Sequence, residues 1–153
     1  MHVWDGECHV HAGIRPSDIE EVRAAHPGAD FLIHPECGCS TSVMEYVAAG
    51  DVDAAGVHML STGGMLKYAE DHKHDDSTVI MATETGMLHP LRLAAPDVNF
   101  VAANERAACR YMKMITLPKL RDCLRDLSGE VKVAPEIAEQ ARIPIERMVS
   151  INA

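Results

Sequence analysis

Two cysteines carry the first chemical signal. Cys8 lies in Gly6-Glu7-Cys8-His9-Val10-His11, and Cys109 opens Cys109-Arg110-Tyr111-Met112-Lys113. Both read as loop positions, where a thiolate is a soft ligand for iron or zinc, and two such cysteines far apart in sequence suggest one metal centre. Between them lie His34-Pro35-Glu36, Ser61-Thr62-Gly63-Gly64 and Thr83-Glu84-Thr85-Gly86, each following a short apolar run. His34 and Glu36 form an acid/base pair suited to moving protons during imine or enol chemistry, since histidine is the side chain most easily tuned near neutral pH. Pro35 between them fixes the direction in which each points. Ser61 and Thr62 offer hydroxyls, and the glycine turn behind them offers free N–H groups at a helix start, to a phosphate or carboxylate.

Each signal has a plainer counterpart. His34 in a loop is often a hydrogen-bonding residue and Glu36 a solvated one. Ser61-Thr62-Gly63-Gly64 alone is a helix-capping sequence. Cys37-Gly38-Cys39 is a possible metal-binding pair, but one short pair without a matching second is weak evidence. Cys123 falls among Leu120, Leu124 and Leu127 at helical spacing, which predicts a buried core thiol. A non-catalytic zinc module using Cys8, His11, Cys37 and Cys39 stands as an alternative to an iron site.

The elements that would position these residues alternate. Pro16-Ser17-Asp18 predicts a helix start with Ser17 as N-cap, acidic residues in its first turn and a stop near Pro27-Gly28. Residues 29–34 predict a buried strand halted by Pro35. Ser40, Thr41 and Ser42 are cap candidates for a helix through Ala49, with Ser42 and Glu45 at capping-box spacing and Gly50 at its end. Residues 54–60 predict a strand, followed by a helix from Met65. Residues 78–83 predict a strand, 89–95 a helix and 98–102 a strand. From Thr116 a helix runs with Pro118 in its first turn and closes at Ser128-Gly129. Residues 130–153 predict a short strand and two small helices opened by Pro135 and Pro144. Such alternation implies an α/β fold: a three-layer α/β/α arrangement with a short parallel sheet, plus a C-terminal helical segment. Ligands bind beyond the carboxyl ends of parallel strands. His34 and Glu36, Ser61 and Thr62, Thr83 and Glu84, and Cys109 each follow a different strand, so one crevice would collect them all.

The 153 residues, 47% of them apolar, suffice for an ordinary core. A formal charge of -9 with no clustered Lys and Arg argues against a nucleic-acid footprint. Five cysteines without regular spacing argue against a disulfide-stapled scaffold. There is no long apolar run and no signal-peptide pattern at Met1-His2-Val3-Trp4-Asp5, so no membrane partner and a cytoplasmic location are expected. Residues 1–4 read as the tail of a strand, an unusual place for a domain to begin, which suggests a start inside a longer protein.

In their order, Trp4-Asp5-Gly6-Glu7-Cys8-His9-Val10-His11, His34-Pro35-Glu36-Cys37, Ser61-Thr62-Gly63, Ala82-Thr83-Glu84-Thr85-Gly86-Met87 and Cys109-Arg110-Tyr111-Met112-Lys113 resemble the quinolinate synthase family along nearly the whole chain. That resemblance implies condensation of iminoaspartate with dihydroxyacetone phosphate to quinolinate, the pyridine precursor of NAD. It implies a 4Fe-4S cluster held by three cysteines, its fourth iron open as a Lewis acid. Cys8 would be the second ligand and Cys109 the third. His34, Pro35 and Glu36 would contact iminoaspartate, with His34 and Glu36 taking part in proton transfer. Thr62, with Ser61 beside it, would bind a carboxylate or phosphate, and Glu84 would line or support the site. Cys37, Cys39 and Cys123 match no cluster position. Residues 1–12 would be the tail of a preceding domain, 13–110 the third α/β domain of the fold, and 111–153 a helical segment packing back on the first domain. The first domain, most of the second and the first cluster cysteine have no counterpart here, and residues 51–59 read as a subfamily insertion. The expectation is an isolated chain that is inactive, holds its cluster weakly, and self-associates through surface meant for other domains; the alternative is one subunit of a split enzyme whose missing half is a separate chain.

Overall fold

The computed structural model describes residues 6–35, 37, 40–51 and 53–151, with Ser42 described by its backbone alone. The predicted strand tail at residues 1–4, Glu36 and Cys39 lie outside the described residues. The chain divides into two units, Met1–Arg110 and Tyr111–Ala153.

The first unit is built around four parallel strands: β1 (Asp30–Ile33), β2 (Val57–Met59), β3 (Thr78–Ala82) and β4 (Asn99–Ala102), in the order β2-β1-β3-β4. Phe31 pairs with both Val57 and Ile80, and Ile80 with Val101, so the registers run continuously across the sheet. Successive side chains point to opposite faces. Phe31 and Ile33 of β1, with Ile80 and Ala82 of β3, therefore pack on one side against Val10, Ile14, Ile19 and Val43. These come from α1 (His9–Ala12), α2 (Pro16–Ala25), α3 (Ser40–Ala49) and the loop after α1. Leu32, Val79 and Met81, with Phe100 and Ala102 of β4, pack on the other side against Met65, Tyr68 and Ala69 of α4 (Thr62–Asp71) and Leu91 of α5 (Leu88–Ala94). The predicted three layers and parallel sheet are present. The helix after β1 covers one face and those after β2 and β3 the other, so the chain reverses direction between β1 and β3. Open parallel sheets bind their ligands at such a switch point, beyond the carboxyl ends of the strands.

Several local expectations are corrected. α2 is opened by Arg15, not Ser17: the Asp18 carboxylate accepts the Arg15 N–H at 2.8 Å, and Pro16 takes the first helical position, where no donor is needed. Ser42 lies inside α3, which begins at Ser40, so it is not the N-cap. The front of the predicted 54–60 strand is a helical turn at Ala54–Gly56, because the Asp53 carboxylate accepts the Ala55 N–H at 2.9 Å and bends the chain before β2. Gly50 closes α3 with φ +79, a left-handed conformation that glycine adopts without steric penalty.

In the second unit, α6 (Leu117–Asp126) starts at Thr116, whose hydroxyl accepts the Lys119 N–H, and carries Pro118 in its first turn. The strand and paired helices predicted for 130–153 are replaced by one helix, α7 (Pro135–Ile151), with Pro144 inside it. Proline tolerates helical φ but leaves the Gln140 carbonyl without its donor; the flanking turns carry the helix through. Cys123 is exposed rather than core, and its thiol donates to the Ser128 carbonyl at 3.1 Å. No described residue of 111–151 is buried, so this unit has no interior to receive a thiol. Among the described residues no helix is long and apolar enough to cross a membrane.

Candidate functional site

His34 is the first residue beyond β1, at the switch point. Its N–H donates to the Ala82 carbonyl at 3.4 Å, extending the β1–β3 ladder, and its carbonyl accepts the Cys37 N–H at 2.8 Å. The backbone is thus fixed on both sides while the imidazole stays half-buried. Thr83 and Glu84 follow β3 next door. Thr83 is buried, with its hydroxyl 2.9 Å from His11 Nε2 in a hydrogen bond between side chains 72 residues apart. The His11 ring lies against the His34 ring, centroids 4.4 Å apart and planes inclined by 12°.

Glu84 joins the β3 end to the Cys109 loop. One carboxylate oxygen accepts the Gly86 N–H at 2.8 Å and the other the Cys109 N–H at 3.1 Å. The Thr85 N–H donates to the Ala107 carbonyl at 2.8 Å beside them. At the next bend of this loop the Asn104 amide donates to Asp18, the carboxylate that opens α2. Cys109 is therefore held from both flanking elements. Its thiol and that of Cys8, which precedes α1, are free and half-buried, and both pack against the core cluster on the α1–α3 face.

On the other flank, the Leu60 N–H donates to the Ile33 carbonyl at 2.9 Å, so the end of β2 stays paired with β1 until Ser61. The Ser61 hydroxyl accepts the Gly64 N–H at 3.2 Å and opens α4; Ser61 and Thr62 are both exposed. The capping reading of this motif is thus realised, with the helix start facing solvent beyond the sheet.

The strand ends present Ser61 and Thr62, His34, Thr83 and Glu84, and Cys109 in the spatial order β2, β1, β3, β4. Pro35 is exposed behind His34, and Glu36 lies outside the described residues. Cys37 is buried in the core cluster and Cys123 belongs to the second unit. Among the described residues no group of three or more His, Cys, Asp or Glu side chains is arranged to hold a metal ion, so the structure does not bring Cys8 and Cys109 together with a third donor there. The residue that sequence reasoning undervalued is His11. It entered only as a zinc donor, and its stack on His34 joins residues whose nearness no spacing encodes.

A family model described as NadA: Quinolinate synthetase A protein matches residues 1–150. A quinolinate synthase of Mycobacterium tuberculosis is 50% identical over 152 residues, covering 99% of this chain and 43% of that relative. Quinolinate synthases of Mycobacterium sp. (strain KMS) and Mycolicibacterium paratuberculosis are each 49% identical over 99% of this chain, covering 44% and 43% of those relatives. The chain thus spans less than half the length of these curated relatives.

Proposed function

This chain belongs to the quinolinate synthetase A family, and from that premise we propose that it forms part of an enzyme of NAD biosynthesis condensing iminoaspartate with dihydroxyacetone phosphate to quinolinate. The observation that carries the reading is the convergence at the strand ends: a half-buried imidazole at the β1/β3 switch point, with two free thiols on the same face of the sheet. Cys8 and Cys109 suit a 4Fe-4S cluster in kind, as soft and partly exposed thiols, and supply two of its three protein ligands. When bound, the cluster supplies an open iron as a Lewis acid.

The chain's own residues do the rest. His34, with Glu36, contacts iminoaspartate and passes protons as the ring is assembled; an imidazole suits both directions of transfer near neutral pH. The start of α4, at Ser61 and Thr62, binds a carboxylate or phosphate through N–H groups left free by the first helical turn. Glu84 holds the Cys109 loop in place. With two of three thiolates, the isolated chain holds iron weakly and makes no quinolinate.

Anaerobic incubation with iron and sulfide, followed by desalting and an iron count per chain, tests this. Retained iron below a full cluster is expected, dropping to background in Cys8→Ser and in Cys109→Ser. Retention indifferent to both substitutions would overturn the ligand assignment. Quinolinate formed from the two substrates by the isolated chain would overturn its inactivity.

A further inference from the structure

His34 has a fixed backbone, and a proton-transfer group works only when its ring is also held in one plane. The structure supplies a neighbour that would hold it. His11 is 8% exposed, and its place is set by Val10 and Ile14, whose side chains are buried in the core beneath. Thr83, 2% exposed at the end of β3, ties the far edge of the His11 ring through Nε2. The near face of that ring lies almost parallel to His34, with the centroids 4.4 Å apart, at the short edge of the range of aromatic pairs. Three elements thus meet in one line: α1 carries His11, β3 anchors it, and β1 presents His34.

We propose that His11 is a positioning residue for His34: tethered by Thr83, its buried ring fixes the plane of the His34 imidazole at the β1/β3 switch point. The inference rests on the reading of His34 as the group that contacts substrate. His11 acts through His34, and Thr83 acts through His11.

The test is histidine-labelled nuclear magnetic resonance of the full chain, with the His34 imidazole signals assigned by their loss in His34→Gln. In His11→Leu, which has no ring, the His34 Cε1–H signal should move and broaden as the imidazole samples several rotamers. His11→Phe, which restores a ring face, should return a single narrow signal. Thr83→Val should shift the His34 signal in the same direction as His11→Leu, because an untied His11 no longer holds one plane. If His11→Leu does not fold, Thr83→Val decides alone. A His34 signal unchanged in His11→Leu and Thr83→Val overturns the proposal.

A titration with aspartate, a four-carbon dicarboxylate, separates this inference from the functional reading. A response of the wild-type His34 signal that weakens in His11→Leu supports both, since a binding group out of place loses its alignment with the ligand. No wild-type response removes the substrate role of His34, while the line shapes still decide whether His11 positions it.

Discussion

One carboxylate joins two loops in this chain. Glu84 accepts the N–H of Gly86 and the N–H of Cys109, so the placement of a candidate ligand thiol depends on a residue 25 positions earlier. Bonds from backbone N–H to an ionised acceptor are worth about 1.5–3 kcal/mol each, and less where water competes. Glu84→Ala should lower stability by about 2 kcal/mol in chemical denaturation and speed amide exchange at Gly86 and Cys109. Glu84→Gln keeps one acceptor oxygen, so its loss should be smaller. Equal exchange rates in all three proteins would show that the loop is held by other contacts. Ser61→Ala, which removes the α4 cap, should cost about 1 kcal/mol by the same measurement. At this level the sequence was legible wherever a residue acts close to its own position: His34, Ser61, Thr83 and Glu84 each follow a strand whose apolar run announces it. Stacking of His11 on His34 was not legible, because it depends on how α1 crosses the sheet.

Tyr68 of α4 and Asp30 of β1 meet at the amino end of the sheet, opposite the candidate site. The Tyr68 hydroxyl donates to the Asp30 carboxylate at 2.7 Å, and the ring stacks on His72 and meets His58 at a tilt. Burial, and then the bond to Asp30, push the Tyr68 phenol well above its usual range. An unfolded chain releases that proton near pH 10, while the folded chain keeps it. Its contribution is therefore complete below about pH 10 and declines as pH rises further, since there the folded state binds more protons than the unfolded one. Tyr68→Phe should be less stable at neutral pH, because it removes the shorter contact of an Asp30 oxygen that then keeps only His58 Nε2, at 3.5 Å, and water. Its melting temperature should also fall less steeply than wild type above about pH 10. Parallel declines would show that Tyr68 does not drive the alkaline loss. Apolar runs revealed β1, β3 and β4 within a residue or two, and the glycine at 50 marked the end of α3. β2 came out shorter because one carboxylate, Asp53, turns the chain ahead of it. From sequence Pro144 points to a helix start, because proline suits a first turn; in the structure it sits inside α7, where it has no N–H to offer the Gln140 carbonyl. Pro144→Ala should restore that bond, raising the helical signal in far-ultraviolet circular dichroism and favouring α7 by up to about 3 kcal/mol. An unchanged signal would mean that the proline imposes no break.

The two units differ in how they satisfy their apolar residues. Residues 6–110 bury two clusters, one on each face of the sheet. Residues 111–151 bury nothing: Leu117 is 82% exposed, Leu127 85% and Ile151 81%, with Leu120 and Leu124 of α6 also turned to solvent. The Leu120, Leu124 and Leu127 stripe was legible as an amphipathic helix, but a stripe states only that something covers it. That ambiguity is why the sequence alone points to a core position for Cys123, at the same spacing. Apolar area left in water costs about 25 cal/mol per Å² relative to burial, and contiguous patches beyond a few hundred Å² are uncommon on proteins that remain monomeric. The 16.7 kDa chain should therefore associate with itself as concentration rises, sedimenting above its monomer mass. Charges placed in the stripe would have to be buried in that association without partners. Leu120→Lys combined with Leu124→Lys should consequently shift the chain towards monomer, while Leu93→Lys, at an exposed position of α5 in the first unit, should leave association unchanged. A wild-type chain that stays monomeric at high concentration would show that its exposed stripes do not pair with each other.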